Sequence, residues 1–164
     1  DLLLTPATVC LAVPLYEQLE LLKKNKVAVV CGILSGTLAS LTGIFVLCML
    51  FGFNHQQYVT MLPKSITTAI GIGISEELGG IVTITVAVII ITGILGNVIA
   101  DTVFHIFKIK NPLAKGLALG TASHAIGTAR AIEMGPVEGA MSSLAVAVAG
   151  LLTVVFVSGF AQLI

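Results

Sequence analysis

Residues 81–100 read IVTITVAVIIITGILGNVIA, twenty residues without an Asp, Glu, Lys or Arg. A helix needs about 20 apolar residues to cross hydrocarbon at ~1.5 Å rise per residue, and this stretch supplies them. Residues 27–53 and 139–164 are also free of charge and as rich in Leu, Ile, Val and Ala. All three carry Gly with Ser or Thr. Small residues in such helices mark close packing, the role expected of Gly32, Gly36, Gly43, Gly93 and Gly96.

Composition agrees. Of 164 residues, 57% are hydrophobic and 10% charged, and the mean hydropathy is +1.10. Globular domains average ~25% charged residues. A soluble enzyme of this size would need far more polar surface to cover its core, so that class is excluded. Eight Lys and Arg balance eight Asp and Glu, which leaves no basic footprint for nucleic acid. The chain belongs in a bilayer. Cys10, Cys31 and Cys48 lie in apolar segments without CxxC or metal-ligand spacing and read as small buried hydrophobes, so no metal or other cofactor is expected. Asp1-Leu2-Leu3-Leu4 offers no Met, basic region or cleavage site, so the opening reads as part of a longer membrane protein rather than a signal peptide.

Segments of another kind alternate with the spans, at 4–16, 61–75 and 111–133. They are apolar on average but interrupted by Pro, Gly, hydroxyls and single charges. Each begins at a proline suited to a helix's first turn, with Ala six residues later: Pro6 and Ala12, Pro63 and Ala69, Pro112 and Ala118. An acidic or Gly-rich turn follows, then a long span. This layout occurs three times and suggests an internal repeat. Short Gly/Pro-broken segments of this sort point to a transporter's binding site, because interrupted backbone survives at membrane depth only inside protein or beside water. The alternative is ordinary tilted helices with packing glycines.

Lys23, Lys24 and Lys26 precede the first span, and Lys108, Lys110 and Lys115 follow the second, whereas residues 54–61 hold no Lys or Arg. The positive-inside bias places both basic loops in the cytoplasm and 54–61 outside. Residues 61–75 then enter and leave on one side as a re-entrant hairpin. If they cross instead, one basic loop lies outside.

The polar residues cluster on helical faces. At about 100° per residue with His124 at zero, Thr121 and Thr128 fall near 60° and 40°, and Ser123 and Arg130 near 260° and 240°. On the second segment Lys64, Thr68, Gly71 and Ser75 share a face, with Thr67 beside them and Ser65 next to Lys64. Lys64 at a helix N-terminus adds to an anion site, and Arg130 offers a two-pronged grip on a carboxylate. Other readings stand beside these. Lys64 snorkels to the interface, Arg130 pairs with Glu133 or Glu138, and His124 is a hydrogen-bonded packing residue rather than a proton relay. Asp101 caps or flanks a span. Glu76 and Glu77 either couple ions or sit in a solvated turn.

Ser123-His124-Ala125-Ile126-Gly127-Thr128-Ala129-Arg130-Ala131 resembles the signature of the LrgB/CidB family of bacterial membrane proteins. So do Leu62-Pro63-Lys64-Ser65-Ile66-Thr67-Thr68-Ala69 with Ile74-Ser75-Glu76 and Gly79-Gly80-Ile81, and Pro6-Ala7-Thr8-Val9 with Leu11-Ala12-Val13-Pro14-Leu15-Tyr16. The resemblance covers nearly the whole chain. It implies further N-terminal helices in the full-length protein and an antiholin-like role in murein hydrolase regulation and lysis, beside an LrgA/CidA-type partner. It also implies carboxylate transport, because a plastid relative carries glycolate and glycerate and bacterial members are linked to pyruvate uptake. Ala125 stands where many members have Gly, which adds a methyl near the proposed site.

The expectation is therefore an all-α polytopic integral membrane protein, one transmembrane domain over 1–164, with broken or re-entrant half-helices. Its expected activity is passage of a small monocarboxylate across the bacterial cytoplasmic membrane. Substrate contacts are expected from Lys64, Ser65, Thr67, Thr68, Ser123, His124, Thr128 and Arg130, and ion coupling from His124 and Glu76. The expected partners are the lipid bilayer, the carboxylate, an LrgA/CidA-type protein and further copies of the chain, with no nucleic acid. The alternative is an interaction-only regulator that transports nothing. An intramembrane enzyme is disfavoured, because Ser123 and His124 are neighbours about 100° apart and make no nucleophile–base pair.

Overall fold

The computed structural model describes residues 16–164. Apart from Tyr16, the polar segment at 4–16 lies outside the described residues, and so does Cys10. Seven helices follow one another among the described residues: α1 (Leu19–Lys24), α2 (Lys26–Leu50), α3 (His55–Met61), α4 (Thr68–Glu77), α5 (Val82–Ile106), α6 (Pro112–Met134) and α7 (Pro136–Ala161). The chain is an all-α polytopic membrane protein.

The long apolar stretches become α2, α5 and α7, of 25, 25 and 26 residues, with mean hydropathies of 2.1, 2.4 and 2.4 over their most apolar windows. Each is about 37 Å long, enough for the ~30 Å hydrocarbon layer. α5 runs past Ala100 through Asp101 to Ile106, and α7 starts at Pro136, ahead of Glu138. A charge sets where hydrocarbon can end, but it does not stop a helix. Val30, Leu47, Ile91, Val98, Leu151 and Val155 point outward from these helices, as a lipid-facing surface requires. Cys48 is buried, but Cys31 lies on the outer face of α2 rather than in the core.

α2 and α7 run side by side in the same direction. Val29 and Ile33 cluster with Met141, Ala145 and Ala149, and farther along Leu41 and Cys48 cluster with Val157 and Ala161. α5 runs the other way. It begins where α7 ends, since Ile81 N–H donates to Thr60 Oγ1 at 2.9 Å and Tyr58 of the same short helix donates to the Phe160 carbonyl at 2.9 Å. Lys23, Lys24, Lys26, Lys108 and Lys110 therefore collect at one end of the bundle, called here the basic end.

α3 and α4 are the arms of a helical hairpin. Asn54 starts α3 with a reciprocal cap, its Oδ1 accepting from Gln57 N–H at 2.9 Å while Gln57 Oε1 accepts from Asn54 N–H at 3.0 Å. The far ends of the two arms meet again: Gln56 Nε2 donates to the Gly79 carbonyl at 3.4 Å. Inside, Thr85 of α5 donates to the Thr60 carbonyl and accepts from Ser75, at 2.9 and 2.8 Å. The turn between the arms is 62–67, so Pro63 and Lys64 sit in a reversal rather than in a helix's first turn. Lys64 does not share a face with Thr68, Gly71 and Ser75. Gly71 and Ser75 instead pack against α5.

α6 departs further from the sequence reading. Its start is conventional: Asn111 Oδ1 caps Leu113 N–H at 2.9 Å, and Pro112 takes the first position. At His124, however, φ is 44° and ψ is −137°, and the chain turns back on itself. Residues 112–123 and 125–134 form a second hairpin. A Cβ on Gly127 would lie 2.8 Å from the Leu119 carbonyl oxygen, and Leu119 clusters with Ala131. The helical wheel drawn through 119–130 fails, because a 100° step presumes an unbroken helix. Thr121 and Thr128 lie on different arms, as do Ser123 and Arg130. The break falls at a residue that is neither Gly nor Pro, so composition gave no sign of it.

Both hairpins are held between long helices. The second lies along the basic half of α5 and the first half of α7. Gly93 and Gly96 of α5 admit His124 and Ser123, while Gly116 and Gly120 of the first arm seat it on the α7 backbone at Glu138 and Ser142.

Candidate functional site

The turn of the first hairpin carries Lys64 to the middle of the bundle. Its Nζ donates to Ser65 Oγ at 2.7 Å and to Ser40 Oγ of α2 at 3.4 Å, and Ser40 donates to Ser65 at 3.0 Å. No Asp or Glu forms an ion pair with Lys64 among the described residues; both ion pairs there belong to Arg130. Lys64 and Ser65 close the inner end of a groove of about 800 Å³ between α2 and the first arm of α6. The groove runs from Ala28 and Asn111 at the basic end, past Gly32 and Gly36, to Ser40 and Thr121. Small residues leave the space open, and Lys64, Ser65, Ser40 and Thr121 gather at its inner end.

Behind Ser40 and Ser65 is a second void of about 10 Å³, lined by Thr37, Ser40, Ser65, Thr121 and Thr153 together with apolar Leu41, Leu62, Ile66 and Ala149. That is room for roughly one water molecule, with polar partners around it. Ser40, Thr37 and Thr153 were missing from the sequence-based set. Hydroxyls in a lipid-spanning stretch usually bond their own helix, as Thr37 does with Ile33 and Thr153 with Ala149, so only the fold reveals their common direction.

His124 forms the tip of the second hairpin and is 3% exposed. Its Nε2 carries a proton and donates to the Ile89 carbonyl of α5 at 2.9 Å. Thr128 donates to the His124 carbonyl at 2.9 Å and accepts from Ser142 of α7 at 2.8 Å. Ser123 packs against Gly96. This tip is a closed polar knot. It shares Thr121 with the walls of the groove but does not itself line it.

The remaining expected residues lie apart. Thr67 precedes α4 and Thr68 begins it, neither with a side-chain cap bond. Glu76 is exposed near the outer end of α4, about 12 Å along the axis from Thr68. Arg130 sits near the base of the second hairpin. One guanidinium nitrogen donates to Glu133 Oε2 at 2.7 Å and the other pairs with Asp101 of α5. Its partners are therefore carboxylates of this chain, including the Glu133 pairing left open above and an Asp101 that does more than flank its span. Lys64 and Arg130 do not converge on one ligand.

The family model described as the LrgB-like family matches residues 1–163. The antiholin-like protein LrgB of Bacillus subtilis (strain 168) is 41% identical over 161 residues, covering 98% of this chain and 70% of that relative. Proteins of the same name from Bacillus cereus (strain B4264) and Bacillus anthracis (strain CDC 684 / NRRL 3495) are each 42% identical over 157 residues, 96% of this chain and 68% of the relative. No solved structure matches the chain at comparable stringency.

Proposed function

The chain belongs to the LrgB-like family, and from that premise we propose that it carries small monocarboxylates, such as pyruvate or glycolate, across the bacterial cytoplasmic membrane. Its relatives' antiholin-like designation links the family to control of lysis. Movement of an organic acid is the activity proposed to underlie that role here, with an LrgA/CidA-type protein as the proposed membrane partner.

Lys64 carries the reading. A cation in a membrane protein's interior is costly and is ordinarily neutralised by a partner. Here the ammonium group is held by two hydroxyls and has no carboxylate partner among the described residues. An anion at the inner end of the groove would supply the missing charge, with Ser40, Ser65 and Thr121 able to bond its oxygens. Entry and exit of 61–75 on the external side, as a re-entrant hairpin, is part of the proposal. It brings Lys64 to mid-membrane without a further crossing. Arg130 enters it as a tie between hairpin and helix.

Uptake of radiolabelled pyruvate and glycolate into proteoliposomes tests this. Saturable uptake should fall more than about tenfold in Lys64→Gln, which keeps a polar tip but loses the charge, and less in Lys64→Arg. Uptake no greater than in empty liposomes, or equal in wild type and Lys64→Gln, would overturn the proposal and leave the interaction-only regulator.

A further inference from the structure

The described chain repeats itself at a spacing of 56 residues, and its hydrogen bonds show this better than residue identities do. α2 and α5 are both 25 residues long and start 56 apart. They also end alike. Gly52 N–H donates to the Met49 carbonyl and Phe53 N–H to that of Cys48, while Lys108 donates to His105 and Ile109 to Phe104. The second residue after each helix takes a positive φ, 65° at Gly52 and 53° at Lys108. The latter is uncommon without a glycine, so the same Schellman turn is kept despite a poorer residue for it.

The hairpins follow in the same register. Ala69-Ile70-Gly71 matches Ala125-Ile126-Gly127, and Glu77-Leu78-Gly79 matches Glu133-Met134-Gly135. Packing matches too. Gly71 lies against Pro63 as Gly127 lies against Leu119, and Thr60 meets Thr85 as Gly116 meets Met141. Cys48 clusters with Val59, and Phe104 lies under Lys115. The register equates Pro63 with Leu119 rather than with Pro112.

Each copy holds one long helix and one hairpin that returns to the end it left. One net crossing per copy forces consecutive copies to be inverted, and α5 does run against α2 and α7. Inverted repeats with broken helices at their interface are the architecture in which two related conformations expose one site to opposite sides. The hairpins approach from opposite ends, and Ser65 of the first turn and Thr121 beside the second line the same small void. We infer that the two hairpins are paired gates: the first closes the Lys64 site toward the far end, as here, and the second, which here leaves the groove open, closes it toward the basic end in the other conformation. This rests on the carrier reading of Lys64, but thiol labelling tests it without any substrate.

Ser40→Cys, on α2 rather than on a hairpin, reports access in a full-length protein whose native cysteines are replaced. A membrane-impermeant thiol reagent is applied from each side, in right-side-out and inverted vesicles. Labelling from both sides is expected, because the conformers exchange. Crosslinking Asn97→Cys to Ile126→Cys tethers the second hairpin, where Asn97 Nδ2 already bonds the Ile126 carbonyl at 3.1 Å. The tether holds the hairpin where the groove is open to the basic end, so it should spare labelling from that end and cut labelling from the other by about tenfold. The equivalent pair, Leu41→Cys and Ile70→Cys, holds the first hairpin closed and should do the same. Gly96→Ala, whose Cβ would collide with Ser123, disfavours this seat and should lower basic-end labelling and raise the other without any crosslink. Access to Ser40→Cys from one end only in the untethered protein, or both ends changing alike under each tether and no shift with Gly96→Ala, would overturn the gates. Anion uptake that persists through such a result would leave the carrier standing.

Discussion

Gly120 and Gly43 both sit in helices where a small residue suggests close packing, and the structure separates them. A Cβ on Gly120 would meet the Ser142 backbone and lie 2.7 Å from the Ala145 Cβ, whereas a Cβ on Gly43 would meet nothing within 4 Å. Gly120→Ala forces two backbones apart, an overpacking that costs roughly 1–3 kcal/mol. Gly43→Ala gains helix propensity, up to ~1 kcal/mol, with nothing to displace. Thermal unfolding in detergent should therefore lower the Tm of Gly120→Ala and leave that of Gly43→Ala equal or higher. The reverse order would mean that the first arm of α6 is not seated on α7. Sequence could not tell the two apart, because both are glycines among apolar neighbours. What differs is whether another backbone passes within reach.

At the scale of elements, the hairpins are anchored by unlike means. The first is set in an apolar cluster around Tyr58, Leu62 and Ile74, while the second is tied at its exposed base by Arg130 to Asp101 and Glu133. Arg130→Gln leaves two carboxylates facing each other across α5 and the hairpin. Its membrane abundance should drop, and Asp101→Asn in the same chain should restore it. Immunoblotting of membrane fractions reads both. Normal abundance in Arg130→Gln with uptake abolished, and no rescue by Asp101→Asn, would return Arg130 to the substrate. The long helices were legible in the sequence because lipid imposes an unbroken apolar run of fixed length on any span. The polar broken segments were legible because Pro, Gly and hydroxyls interrupt that pattern. The reversal at His124 was not, since a backbone of φ 44° at a histidine accompanies packing of its ring against Ile89 and Gly93 rather than following from its own propensity. Lys64 lies in the turn of one hairpin and Arg130 beyond the reversal of the other, so a helical period that presumes unbroken helices makes them look convergent.

For the whole molecule, the decisive quantity is the number of net crossings. On the re-entrant reading proposed above, two hairpins that return to their own ends contribute none, so α2, α5 and α7 alone set the topology of the described residues. Charge then orients it. Lys23, Lys24, Lys26, Lys108, Lys110 and Lys115 gather toward one end, and the segments at the other, 51–57 and 78–81, contain no Lys or Arg. The positive-inside bias predicts that the basic end faces the cytoplasm. Gln56→Cys and Lys110→Cys, each single in a cysteine-free background, should thus react with an impermeant maleimide from opposite sides of the membrane, Gln56→Cys from outside. Were residues 61–75 to cross instead, the two positions would lie on the same side and label together. That outcome would remove the inversion between the repeats as well, because a crossing hairpin gives every copy two net passages and consecutive copies the same direction. One labelling experiment therefore bears on both the placement of Lys64 at mid-membrane and the opposed approach of the two tips.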